Sequence, residues 1–256
     1  MISYEGWDRE YEKNKEQYLS LFETAMKQHA YEDIEWFEER FANWIGRKHC
    51  VAVANATDAL HFSLKAHDIG PGDEVLVSDF SWISSASCIS MTGATPVFCD
   101  IDINSYTISL ESIERMYSPK VKAIVYTHLF GNIVDTTEIR KFCKEKGIAF
   151  IEDSAQSLGS SLNGTYAGTI GDSSSFSFNT NKVVAGINGG GVYLTDNDKL
   201  ADYVKKLRKH GKLKDFETLG YNSKMYFLNA SVIEFRMQFL EKHQKARQEI
   251  ASNYNM

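Results

Sequence analysis

The chain reads as an α/β protein built on a mostly parallel sheet flanked by helices. Three observations predict this. Short continuous apolar runs, such as Ala123 to Tyr126 and Ile148 to Ile151, have the form of strands buried on both faces. Stretches of helical periodicity alternate with them along the chain. No internal repeat, low-complexity tract or linker interrupts the alternation, and 256 residues suffice for one sizeable core or two small ones.

Residues 8 to 27 are mostly polar, with Tyr11, Tyr18, Leu21, Phe22 and Ala25 near helical spacing, which predicts one amphipathic helix packed on a larger body. From Asp33 to Ile45 a cleaner pattern places Ile34, Phe37, Phe41, Trp44 and Ile45 on one helix face, with Gly46 as its stop. Cys50 to Ala54 is a buried strand that runs into Asn55, a helix-cap type, with Leu60 and Leu64 following at helical spacing. Then come a turn at Gly70 to Asp73, a strand at Glu74 to Val77, a helix at Ser84 to Thr92 and a strand at Pro96 to Cys99. They are followed by a helix at Leu110 to Met116, the strand from Ala123, a helix at Asp135 to Lys146 and the strand from Ile148. Ser173 to Phe178 and Val192 to Thr195 read as strands, Asp196 to Lys209 as a helix, and residues 231 to 250 as a last helix with Val232, Phe235, Phe239 and Leu240 apolar.

Composition narrows the function classes. The chain is 43% hydrophobic and 24% charged, with a formal net charge of −6, so no basic block suggests nucleic acid as a partner. The most basic stretch, Lys205 to Lys214, fits a solvated helix end. Cys50, Cys88, Cys99 and Cys143 are scattered, without a CxxC pair or a His at metal-ligand spacing, which predicts free thiols and no metal. Met1 to Glu5 lacks the start of a secretion signal and no run is long enough to span a membrane, so a cytoplasmic protein is expected.

The chemistry centres on Lys182. It lies between the strand ending at Phe178 and a glycine-rich loop, Gly186 to Gly191. A lysine there is either a solvated loop charge or an amine that forms a Schiff base with a carbonyl cofactor. About thirty residues upstream, the strand from Ile148 ends in Glu152-Asp153. Ligands of open α/β sheets bind beyond the carboxyl ends of strands. Asp153 there either caps a turn or serves a ring nitrogen, as pyridoxal phosphate (PLP) requires. The strand, polar turn and helix start at Asn55 to Thr57 form either a simple cap or an anion cradle. Trp82, after the Glu74–Val77 strand, either stacks on a flat ring or covers the core rim. His128 sits after another strand, and a loop-bonding role is expected for it. A nicotinamide site is not expected, because no strand is followed by GxGxxG and Gly186 to Gly191 comes too late in the chain.

Taken together, these segments resemble the DegT/DnrJ/EryC1/StrS family of nucleotide-sugar aminotransferases, which are PLP enzymes of fold type I. The resemblance rests on Asn55-Ala56-Thr57-Asp58-Ala59-Leu60, Gly70-Pro71-Gly72-Asp73-Glu74-Val75, Gly93-Ala94-Thr95-Pro96, His128-Leu129-Phe130-Gly131, Glu152-Asp153-Ser154-Ala155-Gln156, Ser175-Phe176-Ser177-Phe178 with Lys182, and Gly220-Tyr221-Asn222-Ser223. It implies the large domain of that fold, with a seven-stranded sheet. Residues 1–32 would be an N-terminal helical segment, 33–230 the PLP-binding domain, and 231–256 a helix leading to a small C-terminal domain that this chain lacks.

It also implies roles. Lys182 would carry PLP and move the proton; Asp153 would pair with the pyridine nitrogen; Gln156 would lie near the ring hydroxyl, and Trp82 on the ring. Ala56, Thr57 and Ser177 would hold the phosphate, and Asn222 would reach the phosphate of the partner subunit in a homodimer with shared sites. The substrates implied are glutamate and a keto-deoxysugar on a nucleotide, used to make aminosugars for surface polysaccharide or glycoconjugates. The alternative is a truncated, catalytically impaired PLP-binding dimer. Relatives with His at the lysine position are dehydratases, and Lys182 argues against that branch. The sequence departs from the family at Ala56, often Gly, and at His29 to Asp33, which lacks the usual glycines. It departs also at Lys224, where Arg is common, and at Tyr226-Phe227-Leu228.

Overall fold

The computed structural model of the chain describes residues 6–28, 34–212 and 218–254. The glycine-poor segment His29 to Asp33, the first residues Met1 to Glu5 and the far end of the Lys205–Lys214 stretch lie outside the described residues.

In chain order the elements are α1 (Trp7–Lys13), α2 (Lys15–Gln28), α3 (Glu35–Ile45), β1 (His49–Val53), α4 (Ala56–Ala66), β2 (Glu74–Ser78), α5 (Ser84–Met91), β3 (Thr95–Cys99), α6 (Leu110–Met116) and β4 (Val121–Thr127). There follow α7 (Thr137–Lys146), β5 (Ala149–Asp153), the small hairpin β6 (Ser161–Leu162) and β7 (Thr165–Tyr166), β8 (Ser173–Ser177), β9 (Gly191–Thr195), α8 (Asp198–Leu207), α9 (Phe227–Met237) and α10 (Leu240–Tyr254).

Seven strands form one sheet in the order β1-β9-β8-β5-β4-β2-β3. All pairings from β8 to β3 are parallel, while β9 runs antiparallel to both β8 and β1. The α/β class and the mostly parallel sheet are therefore as the apolar runs predict. The central runs are apolar throughout because both faces are covered: Val75, Val77, Ala123 and Val125 pack with Leu60 and Leu64 of α4 and Ile89 of α5. On the other face Leu76, Ile124, Tyr126 and Phe150 pack with Ile113 of α6 and Cys143 of α7. The all-apolar runs follow from this two-sided burial. All four cysteines are free and buried.

Three expectations are corrected. The helix over 8–27 is broken at Asn14, whose side-chain Nδ2 donates to Glu10 O at 3.0 Å while its backbone leaves the helical region. Asn competes for backbone carbonyls in this way, so it interrupts helices. The helix over 231–250 is two: a turn at Gln238-Phe239 separates α9 from α10. Phe239 packs edge-on against Phe235, and α10 turns to bury Leu240. Finally, Trp44 is not buried with Phe37, Phe41 and Ile45. It is 39% exposed at the rim of their face, between Phe41 at 5.5 Å and Tyr166 of the β6–β7 hairpin at 6.0 Å.

Candidate active site

A cavity of about 380 Å³ opens where the chain leaves the carboxyl ends of β2, β4, β5 and β8, and its wall is completed by the start of α4 and the glycine-rich loop. Ala56, Thr57, Trp82, Asp153, Gln156, Ser177 and Lys182 all line it. Of the site residues that the family resemblance implies, Asn222 alone lies outside, in an adjoining groove with Lys224, Asn188 and Asn229.

The start of α4 is built as a cradle. Asn55 is extended, with φ −165°, and its side chain accepts from Asp58 N at 2.8 Å, which leaves the N–H groups of Ala56 and Thr57 available at the positive end of the helix. Ser223 Oγ donates to Asp58 Oδ2 at 2.6 Å and accepts from Ala54 N at 3.1 Å, tying the Tyr221–Ser223 segment to the same corner. Thr57 Oγ1 donates to Ser84 Oγ at 2.8 Å. Ala56 needs no glycine here, because it is the first helical residue and its φ is not positive. The glycine that this corner does need is Gly191. A Cβ there would lie 2.4 Å from the Asn55 carbonyl carbon and 2.5 Å from Ala56 N. Only a residue without a side chain lets β9 pass this close to the cradle.

Asp153 ends β5 and is buried. Its Oδ2 accepts from Ser85 Oγ at 2.7 Å, and its Oδ1 accepts from Ala155 N at 3.2 Å. One oxygen caps the turn, as the first of the two expected roles has it, while Ser85, itself bonded to Ser81 Oγ at 2.8 Å, fixes the carboxylate plane at the cavity wall. Ser85 was not found in the sequence, since a serine inside an apolar helix carries no pattern of its own.

Lys182 follows β8, with its backbone N–H donating to Asn179 O at 2.9 Å. Among the described residues its amine has no hydrogen bond or ion pair. Burial pushes the amine below the ordinary lysine value, and the Asp153 charge only partly offsets this. The glycine-rich loop is pinned by Asn229 of α9, whose Oδ1 accepts from Ile187 N and whose Nδ2 donates to Gly189 O, both at 2.8 Å. Asn229, 42 residues from Ile187, is a second functional-site residue that sequence reading missed. Trp82 stands at the cavity wall with 71% of its surface exposed. Gln156 lines the cavity while its Oε1 accepts from Phe130 N at 3.0 Å.

His128 does not enter the cavity. Strand alternation turns Glu152 to the face of β5 opposite Asp153, and there the fully buried His128 Nε2 donates to Glu152 Oε1 at 2.9 Å. Gly168 N, Ile170 N and Gly171 N donate to the same carboxylate at 2.8, 2.7 and 2.6 Å. Burial raises the Glu152 pKa, but the His128 hydrogen bond and the Gly171 and Gly168 N–H groups outweigh it and hold the carboxyl below its ordinary value. The ring of His128 does not bond a loop directly, contrary to expectation; it bonds Glu152 of β5, and that carboxylate holds the Gly168–Gly171 loop.

The residues present fit PLP. An anion cradle that a Cβ would fill, a buried and oriented carboxylate, an unpaired amine of lowered pKa and an exposed indole share one cavity.

A sequence profile of the DegT/DnrJ/EryC1/StrS aminotransferase family matches residues 9–256. The chain is similar to the dTDP-3-amino-3,6-dideoxy-alpha-D-galactopyranose transaminase of Aneurinibacillus thermoaerophilus, with 38% identity over 224 residues, covering 87% of this chain and 62% of that relative. In structure it is similar to a DegT DnrJ EryC1 StrS aminotransferase from Brucella abortus, with a TM-score of 0.93 and 27% identity over all of this chain and 72% of that one. It is also similar to NtdA of Bacillus subtilis, solved with bound cofactor PMP, with a TM-score of 0.83 and 28% identity, covering 89% of this chain and 53% of that one. The chain thus spans less than two thirds of the length of the transaminase it matches.

Proposed function

We propose, from the premise that this chain belongs to the DegT/DnrJ/EryC1/StrS aminotransferase family, that it binds PLP and transfers an amino group from glutamate to a keto-deoxysugar carried on a nucleotide. One observation carries the reading: Lys182 and Asp153 face the same cavity as the start of α4. Residues 33–230 would form the cofactor-binding domain, with 1–32 and 231–256 as the helical segments that flank it.

PLP, when bound, supplies an electron sink for the carbon that gains or loses the amino group. The N–H groups of Ala56 and Thr57, with the Ser177 hydroxyl, hold its phosphate. Asp153 faces its ring nitrogen and Gln156 its ring hydroxyl, while Trp82 covers a ring face. Lys182 Nζ takes and returns the proton at the amino donor's α-carbon; burial keeps a larger fraction of this amine neutral than an exposed lysine would have. Asn222, outside its own chain's cavity, reaches the cofactor phosphate of the partner in a homodimer. The sugar product suits polysaccharide or glycoconjugate synthesis, a cytoplasmic step.

The test is absorbance. Purified protein with added PLP should show a band near the visible edge that Lys182→Ala abolishes, and glutamate should discharge it. Absence of a lysine-dependent band would sink the reading. A band that glutamate leaves unchanged favours the second reading, a PLP-binding dimer without turnover.

A further inference from the structure

Asn222 is exposed, and its side chain makes no hydrogen bond among the described residues. The backbone around it is nonetheless held from two sides. On one side it pairs with the chain leaving α8. Tyr221 N donates to Leu207 O at 2.6 Å, His210 N donates to Tyr221 O at 2.9 Å, and Ser223 N donates to Arg208 O at 3.1 Å, with Asn222 opposite Lys209. On the other side both neighbours of Asn222 grip α4. Ser223 is buried, donates to Asp58 Oδ2 at 2.6 Å and accepts from Ala54 N at 3.1 Å. The Tyr221 ring packs edge-on against the buried His61 at 5.3 Å and against Phe62 at 5.1 Å. Its hydroxyl lies 3.0 Å from His61 Nε2. The other ring nitrogen, Nδ1, faces Cys88 O at 3.4 Å. A carbonyl only accepts, so Nδ1 carries the proton of the neutral ring and Nε2 is left to accept from Tyr221. Burial keeps that ring neutral by pulling His61 below the ordinary histidine value.

An amide that bonds to nothing in its own chain thus stands on a backbone fixed at both flanks. We infer that His61 and Asp58 are positioning residues: through Tyr221 and Ser223 they hold Asn222 where it meets the phosphate in the partner's cavity. The inference rests on the proposed function, in which Asn222 makes that contact. A hydrogen bond tolerates only a few tenths of an ångström in length, so a finger that crosses between subunits needs a rigid base. Helix α4 supplies it, and the same helix start forms the chain's own cradle. Asp58 Oδ2 also accepts from Asn55 Nδ2 at 3.1 Å. One carboxylate therefore joins the cap of a chain's own cradle to the finger that the chain offers its partner.

The test measures PLP affinity through the Lys182-dependent absorbance band. Tyr221→Phe keeps the ring packing and removes only the hydroxyl; Ser223→Ala removes the other hold. Each should weaken PLP about twofold to tenfold, the scale of one lost hydrogen bond, and neither by more than Asn222→Ala does. Added to Asn222→Ala, each should weaken it no further, because the same contact is already gone. Mixed dimers, purified through two tags, then separate the two subunits. The reference pairs a parent chain with a Lys182→Ala chain, so one site alone gives the band. Tyr221→Phe placed on the Lys182→Ala chain should weaken that site, and placed on the chain that keeps Lys182 it should leave the site as in the reference. Equal losses in both mixed dimers, further loss on the Asn222→Ala background, or parent-like affinity of Tyr221→Phe would overturn the inference and leave the cofactor reading standing. A parent chain with no lysine-dependent band would overturn both.

Discussion

Replacing Glu152 with Gln tests how the strand carrying Asp153 is held in place. The carboxylate accepts four bonds: His128 Nε2 and Gly168 N on Oε1, and Ile170 N and Gly171 N on Oε2. An amide has one accepting oxygen and one NH₂ group. If the NH₂ takes the Oε2 side, two backbone N–H groups face it. If it takes the Oε1 side, His128 must change tautomer to accept, which strands Gly168 N and puts the ring proton on Nδ1, a buried atom with no partner. Either arrangement therefore orphans two buried donors, at about 1–3 kcal/mol each, and removes the charge that strengthens the other bonds. We expect Glu152→Gln to cost about 2–6 kcal/mol and Glu152→Ala, which removes every acceptor of the four bonds, to cost more than Gln does. Urea unfolding followed by tryptophan fluorescence, with midpoints compared at equal slope, measures both. The sign with pH follows from the depressed Glu152 pKa. Its stabilisation is full above the unfolded carboxyl value, about 4.3, and is lost as pH falls through the folded value. The gap between parent and Gln variant should thus close in acid. A Glu152→Gln protein within about 0.5 kcal/mol of the parent at neutral pH, or an Ala variant milder than Gln, would refute the accounting.

Gly191→Ala places a Cβ against the Asn55–Ala56 peptide and should cost about 1–3 kcal/mol while lowering PLP retention in equilibrium dialysis; unchanged retention would show that the cradle is not where the phosphate sits. Ser85→Ala should cost about 1.5–3 kcal/mol, the range for a hydrogen bond to a charged group, and weaken PLP binding, with Ser85→Thr restoring both. Equal defects in Ala and Thr would assign Ser85 to packing alone. Because the Lys182 pKa is lowered from 10.5, the rate of PLP attachment, followed by absorbance against pH, should level off below that value. A rate that keeps climbing past 10.5 would show an ordinary amine.

The central strands were legible because two-sided burial writes itself into the chain as unbroken apolar runs, and Asp153 and the Asn55 corner were legible because each stands at the end of one; Lys182 was legible from its place between a strand end and a glycine-rich loop. What lay hidden is non-local. Nothing near Gly191 announces that β9 runs against its neighbours, since a five-residue strand has the same composition in either direction. Asn229 and Ser85 sit within helices, and their meaning appears only when Ile187 and Asp153 are brought to them. The break at Asn14 was missed because apolar spacing continues across it while a single side-chain bond does not show in periodicity. Glu152 was read with Asp153 as one acidic pair, yet strand alternation sends the two to opposite faces with unrelated tasks.

The edge position of β1 has a consequence for how the protein is made. Its sole sheet partner among the described residues is β9, so His49–Val53 leaves the ribosome well before Gly191–Thr195 exists. At usual translation speeds the wait is roughly 7 to 30 s. Through that interval the apolar segment Cys50-Val51-Ala52-Val53 must be shielded by α3 and α4 or by a chaperone. When β9 arrives it comes as the return leg of the hairpin that bears Lys182, and Gly191 closes on Asn55 in the same event. The strand that closes against the cradle is thus the same one that completes the hairpin bearing the amine.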